Sequence, residues 1–426
     1  MLNSASIQAV NAAGWSARFR RPLYDSYSFA RIPATIRGLL IGAPDAAGLP
    51  PDVLGPLAGE YDTVILLFVD AFGWRFVERY RDSYPFLRRF AADGVISKLT
   101  SQFPSTTAAH VTTMQTGLPV GQHGVYEWYF YEPQLDRLIA PLLYSFAGDK
   151  ERETLTRSGI QPAQLFPQQT LYQELAAAGV PSYILNDRAF IHSSYTERLG
   201  VGATLLGHRN LPEALVQLRQ LRAAQTGKAY YYLYFAGIDT TGHQYGPASP
   251  FFDAEVDMFL TIMDRQFHAA ATAGPGRTLV LMTADHGQVA VDPATTVYLD
   301  ETLPALRPLL ATNRAGQPLV PAGSARDFFL HIVPDQLAAA QAMLTEHLAG
   351  RAEVWPVAEL IAQGFFGSPP LAPVFLGRVG NLVILPYAGE SVWWKGDGRF
   401  KQAFYGAHGG LTPEEMETVL LAQVYE

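Results

Sequence analysis

The chain has no cysteine among its 426 residues. Disulfides and thiolate ligands are therefore excluded, which leaves His, Asp and Glu to build any transition-metal site. Charge is scarce as well: 16% of residues are charged, and the net charge of −8 offers no basic footprint for nucleic acid. Duplex nucleic acid is not an expected partner. No run of like charges reads as a tail, no segment is of low complexity, and no internal repeat recurs. Apolar runs stop short of the roughly 18 residues needed to cross a bilayer. The opening MLNSASIQAVNAAGWSARFRRP lacks the apolar core of a secretion signal. A cytoplasmic protein without a membrane partner is expected. What is plentiful is apolar matter, 48% of the chain, enough for one large domain with an insertion or for two domains.

Residues 1–60 read as a lead-in packed on the main domain, with a short helix from Pro33 to Leu40 and a Pro/Gly-rich connection from Gly42 through Gly59. Thr63 to Val69, TVILLFV, is a continuous apolar run of the kind a strand buried on both faces requires, and Asp70 follows it. Trp74 to Phe90 has helical spacing, and Val95 begins another strand. Further helices are expected over Gln169–Gly179, Leu211–Ala224 and Phe251 to about Ala273. Strands are expected over Tyr183–Asn186, Tyr230–Ala236 and Thr278–Met282. Alternating strands and helices imply an α/β fold, a parallel sheet covered on both faces, whose ligands bind at the carboxyl ends of the strands. Asp70, Asp239 and Asp285 all stand at that edge. From Val289 to Gly377 the pattern loosens into an inserted cap, with helices over Pro334–Leu348 and Val357–Gln363. Leu382–Pro386 is expected to return the chain to the sheet, and Thr412-Pro413-Glu414-Glu415 reads as a helix start. The catalytic core is thus expected in 61–288 and 378–426, with the cap in 289–377.

Phe103-Pro-Ser-Thr-Thr-Ala-Ala-His-Val-Thr-Thr-Met-Gln-Thr-Gly117 places three hydroxyls at the start of a helix-length run. Unpaired backbone N–H groups at such a start favour an anion, so a nucleophile aimed at phosphate fits there. Ordinary N-capping by Ser or Thr explains the same residues. The remaining polar signatures are Asp70, Asp239-Thr-Thr-Gly-His243, Asp285-His286 and His408. Asp and His without Cys suit zinc or manganese, and Asp239 and His243 lie one helical turn apart. Each piece alone is an ordinary turn residue or a structural histidine; their joint position at one sheet edge points to a metal site.

This ordered set resembles the alkaline phosphatase superfamily, and within it the type I phosphodiesterase and nucleotide pyrophosphatase family, from the strand before Asp70 to Gly406-Ala-His408-Gly-Gly. The resemblance implies an alkaline phosphatase-like three-layer sandwich with a small inserted cap. It assigns Asp239, His243 and His408 to one metal, and Asp70, Asp285 and His286, completed by Thr107, to a second. The family's nucleophile stands ten residues before the glycine of a Thr-Gly pair, and Thr116-Gly117 counts back to Thr107, with Thr106 the next choice. The implied cofactors are two divalent ions, zinc first, with manganese or iron accepted by the same donors. The implied reaction is cleavage of phosphodiester or pyrophosphate bonds in small nucleotide-type phosphoesters through a covalent phosphothreonine. The alternatives are a phosphomonoesterase or phosphonate hydrolase with the same metals and, from another class, a metal- or ligand-binding protein without turnover.

Family members place an asparagine a few residues after the His-Gly pair that is His123-Gly124 here, whereas this chain has Glu127 and Trp128. His123 reads as structural. His110 is a candidate phosphoryl contact, although helix packing explains it too. Trp128 and Tyr245, with Tyr126, Tyr129 and Trp393-Trp394-Lys395, are candidates for substrate contact or for core packing. Sulfatases are excluded because Thr107-Ala-Ala-His cannot yield formylglycine. Net acidity is no obstacle to an anionic substrate, since two dications bring a local charge of about +4.

Overall fold

The computed structural model describes residues 1–42 and 46–426, so residues 43–45 of the expected Gly42–Gly59 connection lie outside the described residues. Seven strands form the central sheet: β1 (Thr63–Val69), β2 (Val95–Thr100), β3 (Ser182–Asp187), β4 (Ala203–His208), β5 (Ala229–Phe235), β6 (Thr278–Thr283) and β7 (Glu417–Tyr425). Their order is β2-β7-β6-β1-β5-β3-β4. Strands β6, β1, β5, β3 and β4 are parallel neighbours, and β7 runs antiparallel to both β6 and β2. This is the expected α/β architecture, with helices on both faces.

The run TVILLFV works because both faces of β1 are covered. Val64, Leu66 and Phe68 enter a core shared with the helix Ile32–Ile41 and the helix Thr107–Thr116. Ile65, Leu67 and Val69 enter a second core under Trp74–Tyr80, Leu211–Ala223 and Pro250–Ile262. A period-2 strand with no polar position divides its side chains between the two. The lead-in lies along the outer edge of β2, where Leu2 bridges Ile96 and Ser28 bridges Thr100. That edge is thereby protected from pairing with other chains.

Three expectations are corrected. Trp74 to Phe90 is two helices, Trp74–Tyr80 and Pro85–Asp93, because Tyr84 precedes a proline and is held extended at φ −110° and ψ 127°. Leu382–Pro386 does not enter the central sheet. It pairs with Asp327–Leu330 and Ala352–Pro356 in a four-stranded antiparallel sheet that has its own apolar core. The chain regains the central sheet only with β7, which the helix signal at Thr412 concealed. That helix is a single turn, Pro413–Met416, held by a capping box between Thr412 and Glu415.

A buried ion pair joins the small sheet to this last segment. The Arg326 guanidinium donates Nε to Glu415 Oε1 and Nη2 to Oε2, both at 2.9 Å, and both side chains are fully buried. Burial pushes the Glu415 carboxyl up, but Arg326, the Thr412 hydroxyl and the Gly410 N–H outweigh it and hold the group below its usual range. A depressed carboxyl adds stability that is present above its unfolded pKa and lost as pH falls through the folded value. Arg326→Leu strands the carboxylate and is expected to cost about 3–5 kcal/mol at neutral pH, read by urea unfolding. The difference from the parent protein should shrink in acid.

Candidate active site

Strands β6, β1 and β5 are adjacent, so their carboxyl ends bring Asp285, Asp70 and the start of the helix Gly237–Tyr245 to one edge of the sheet. Asp70 continues the ladder, its N–H donating to Phe235 O at 2.9 Å. Asp285 Oδ1 accepts the N–H of Ala71 at 3.1 Å, and Ala71 has a φ of 62°. The two strand ends meet so closely that a Cβ on Gly73 would lie 2.8 Å from the Cα of Gly287. Only glycine fits that contact.

Two donor clusters result. In the first, Asp239 and His243 sit one turn apart on the same helix, with His243 Nε2 3.4 Å from Asp239 Oδ2 and His408 Nε2 3.6 Å from Asp239 Oδ1. The two histidine Nε2 atoms are 3.0 Å apart. In the second, His286 Nε2 lies 3.2 Å from Asp285 Oδ2 and 3.6 Å from Asp70 Oδ1. Thr107 Oγ1 is 3.3 Å from His286 Nε2 and 3.5 Å from Asp70 Oδ1. The structure thus gathers all seven residues proposed as ligands, but the donor sets close enough to hold an ion are Asp70, Asp285 and His286 in one and Asp239, His286 and His408 in the other, so His286, stacked on His408 at 3.6 Å, stands between the two.

The chemistry of these donors fits two cations. His243, His286 and His408 each turn Nδ1 to a backbone carbonyl, those of Gly406, Gly287 and Ser105, at 2.7, 3.0 and 3.0 Å. Their Nε2 lone pairs therefore face one another and the carboxylates, an arrangement that is repulsive without a positive centre. Burial keeps His286 and His408 neutral, lowering His408 to about 4. Burial, followed by neighbouring carboxylates, raises Asp70 well above its usual value, and burial raises Asp285 to about 7. Asp285 Oδ2 is buried with no hydrogen-bond partner. Each cluster thus presents uncompensated donors to a space that a dication would neutralise.

Thr107 opens the helix Thr107–Thr116, which ends at Gly117 in the left-handed region. Thr106 takes the N-cap position, yet its hydroxyl does not cap the helix. Thr107 faces a cavity of about 480 Å³ that it shares with Glu127, Trp128, Asp239, His243 and His408.

The substrate-contact candidates divide. Trp128, Tyr129 and Trp393 line the cavity. Tyr126 is buried among Phe130, Phe329 and Phe375, Trp394 is buried in the core of the small sheet, and Lys395 pairs with Glu301 at 2.6 Å. Tyr245 is outside the cavity lining and stacks on Phe251 at 4.2 Å. His110 is not a phosphoryl contact: its Nδ1 donates to Thr106 O at 2.7 Å, and its Nε2 meets Ser101 Oγ at 2.8 Å and the N–H of Gln102 at 2.9 Å. His123 is likewise consumed, by Thr113 Oγ1 and the Val125 N–H, both at 3.0 Å.

Sequence reading missed several supporting groups. The Tyr234 hydroxyl donates to Asp70 Oδ2, and Gln288 Nε2 donates to Asp239 Oδ1 at 2.6 Å. Tyr234 had a signal, a hydroxyl near the end of a strand that leads to a ligand. Gln288, two residues after His286, had only its proximity.

No curated protein matches the chain by sequence. Among solved structures, murine ectonucleotide pyrophosphatase / phosphodiesterase 5 aligns with a TM-score of 0.62 at 17% identity, over 84% of this chain and 87% of that one. An inactive variant of the same mouse protein in complex with AMP gives the same values. The human protein gives 0.61 at 15% identity, over 84% and 87%. These likenesses show the shared fold. The model of the family described as type I phosphodiesterase / nucleotide pyrophosphatase matches residues 64–411, from β1 through the loop of His408. With a match over that much of its length, the chain belongs to the type I phosphodiesterase / nucleotide pyrophosphatase family of hydrolases.

Proposed function

We propose that this enzyme cleaves phosphodiester or pyrophosphate bonds of nucleotide-type substrates through a phosphothreonine at Thr107. The observation that carries the reading is the Thr107 hydroxyl, 3.3 Å from His286 Nε2 and 3.5 Å from Asp70 Oδ1, at a helix start that opens on a cavity. AMP in the complex of the inactive structural neighbour supports a nucleotide substrate, since AMP is what cleavage of such a diester or pyrophosphate leaves.

Asp239, His243 and His408 would hold one divalent ion; Asp70, Asp285, His286 and Thr107 would hold the other. Zinc suits these donors, and manganese or iron is compatible with them. When bound, such ions lower the pKa of a coordinated hydroxyl and offset charge on phosphoryl oxygens. Thr107 Oγ1 gives up its proton and attacks phosphorus while the bond to the leaving oxygen breaks and that oxygen takes up a proton, and the first N–H groups of the helix donate to a phosphoryl oxygen. Water then attacks the phosphothreonine from the opposite side and restores the hydroxyl. Tyr234 and Gln288 fix the orientation of Asp70 and Asp239 throughout. No described helix is long and apolar enough to cross a membrane.

The test is kcat/KM for bis(p-nitrophenyl) phosphate over p-nitrophenyl phosphate on zinc- and manganese-loaded protein. A ratio well above one is expected. A ratio well below one transfers the enzyme to monoester chemistry with the same residues.

A further inference from the structure

One short segment supplies five residues to the lining of the cavity that Thr107 faces: Arg399, Phe400, Lys401, Gln402 and Phe404. Its course is fixed at both ends. The N–H groups of Lys395 and Gly396 donate to the Asp300 carboxylate, each at 2.9 Å. Phe400 meets Tyr129 edge to face at 5.6 Å, and its N–H returns to Lys395 O at 3.0 Å. Further on, the Gln402 N–H donates to the Tyr298 hydroxyl and the Tyr405 N–H to His243 O, both at 2.8 Å. Phe404 lies against the His243 ring, with centroids 4.6 Å apart. Arg399 lays its aliphatic stem across Gly148, where a Cβ would collide with it. The two cations of the lining segment, Arg399 and Lys401, have no carboxylate partner among the described residues. The other nearby cations are taken, Lys395 by Glu301 at 2.6 Å and Arg326 by Glu415 at 2.9 Å.

We propose that Arg399 and Lys401 bind negative charge on the leaving group, so that the enzyme favours substrates whose leaving group is itself phosphorylated over diesters whose leaving group carries no phosphate. Two uncompensated cations in a cavity shared with the nucleophile raise the local concentration of anions and can hold them by charge-assisted hydrogen bonds. In-line displacement at Thr107 directs the departing oxygen away from the helix start and into the cavity, so the substituent on that oxygen is the part that reaches the segment. The electron pair of the broken bond stays on the departing oxygen, and a pyrophosphate leaving group meets cations already in place. The guanidinium of Arg399 offers a planar fork to phosphate oxygens, and the Lys401 ammonium a point charge beside it. Neither residue forms or breaks a bond; both act on which leaving group is accepted.

This inference rests on the reading of Thr107 as the phosphoryl site. Thymidine triphosphate and the p-nitrophenyl ester of thymidine monophosphate leave the same nucleotidyl group on Thr107 and differ in what departs, so the ratio of their kcat/KM values on zinc-loaded protein isolates the leaving group. Arg399→Ala combined with Lys401→Ala is expected to lower the triphosphate-to-ester ratio by about tenfold or more, chiefly through KM for the triphosphate. The exchange Arg399→Lys with Lys401→Arg keeps both charges and should hold the ratio within about threefold. Lys395→Ala removes a cation that is already paired and should hold it as well. Binding is expected to agree: in zinc-loaded Thr107→Ala protein, calorimetric affinity for thymidine triphosphate should fall about tenfold when the two alanines are added, and that for the ester by less. An unmoved ratio in the double alanine variant overturns the proposal, as does an equal fall in Lys395→Ala or in the exchange variant. Failure of the Thr107 reading shows itself separately, as cleavage of neither compound by the parent enzyme or as retained cleavage by Thr107→Ala.

Discussion

Thr107→Ala is expected to lower kcat by about a thousandfold or more, roughly 4 kcal/mol of barrier, while the fold and metal affinity persist. The fold persists because alanine favours a first helical turn and the methyl fits the space of the threonine. Metal affinity persists in large part because six of the seven donors come from elsewhere, and three of them, Asp239, His243 and His408, lie in the other cluster. Turnover fails because no other hydroxyl takes its place. The Ser105 hydroxyl donates to Gly410 O at 2.7 Å, and Thr106 sits at the N-cap, one residue short of the position whose hydroxyl reaches His286 and Asp70. Thr106→Ala is therefore the informative companion and should keep activity within about an order of magnitude. Single-turnover assays and zinc content measured on both variants decide the matter. Retained activity in Thr107→Ala would move the nucleophile to Thr106 or to water.

Stripping the metals with a chelator is expected to abolish activity and to destabilise the protein by about 4 kcal/mol per site at metal concentrations near a thousand times Kd. The pH dependence is specific. In the metal-free protein Asp70 and Asp285 have raised folded pKa values, so the stability they contribute is present below their unfolded value and lost as pH rises through the folded one, about 7 for Asp285. His286 and His408 have lowered folded values, so their effect is a loss of stability in acid, below about 6.5. Between pH 6.5 and 8 the carboxyls therefore dominate. The metal-free melting temperature should fall across that window, and the gain on adding zinc should grow. Asp285→Ala removes a ligand together with a source of repulsion: it should lose metal and turnover while its metal-free form melts higher than the metal-free parent at pH 8. A metal-free melting temperature that rises from pH 6.5 to 8 would contradict this account of the buried carboxyls.

The parts of the molecule that were legible in sequence are those where one local pattern carries the whole decision. Strands β1, β5 and β6 are uninterrupted apolar runs, so their length and their two-sided burial could be read directly, and the aspartates beyond them marked the working edge. The helix from Thr107 was bounded by hydroxyls and a glycine. Strand β7 was hidden because the cap chemistry of Thr412 to Glu415 is genuine but serves a single turn. The small sheet was hidden because its strands are only three to five residues long and lie between long connections. His110 was ambiguous for a simpler reason: position on a helix face does not reveal that both ring nitrogens are already engaged.

The place of β7 in the sheet has a consequence for how the molecule is assembled. Strands β1, β5 and β6 are made early and can pair with one another, so Thr107 and five of the six Asp and His residues of the two clusters can gather while the small sheet is still being synthesised. Strand β2 cannot join them, because among the described residues its only neighbour within the sheet is β7, which leaves the ribosome after the small sheet and after the loop that carries His408. Until then β2 is a waiting edge, exposed to mispairing on the side that β7 will occupy. His408 and the strand that closes the sheet are thus delivered within one short stretch of chain, so nascent protein completes its Asp and His clusters at about the time its sheet is closed.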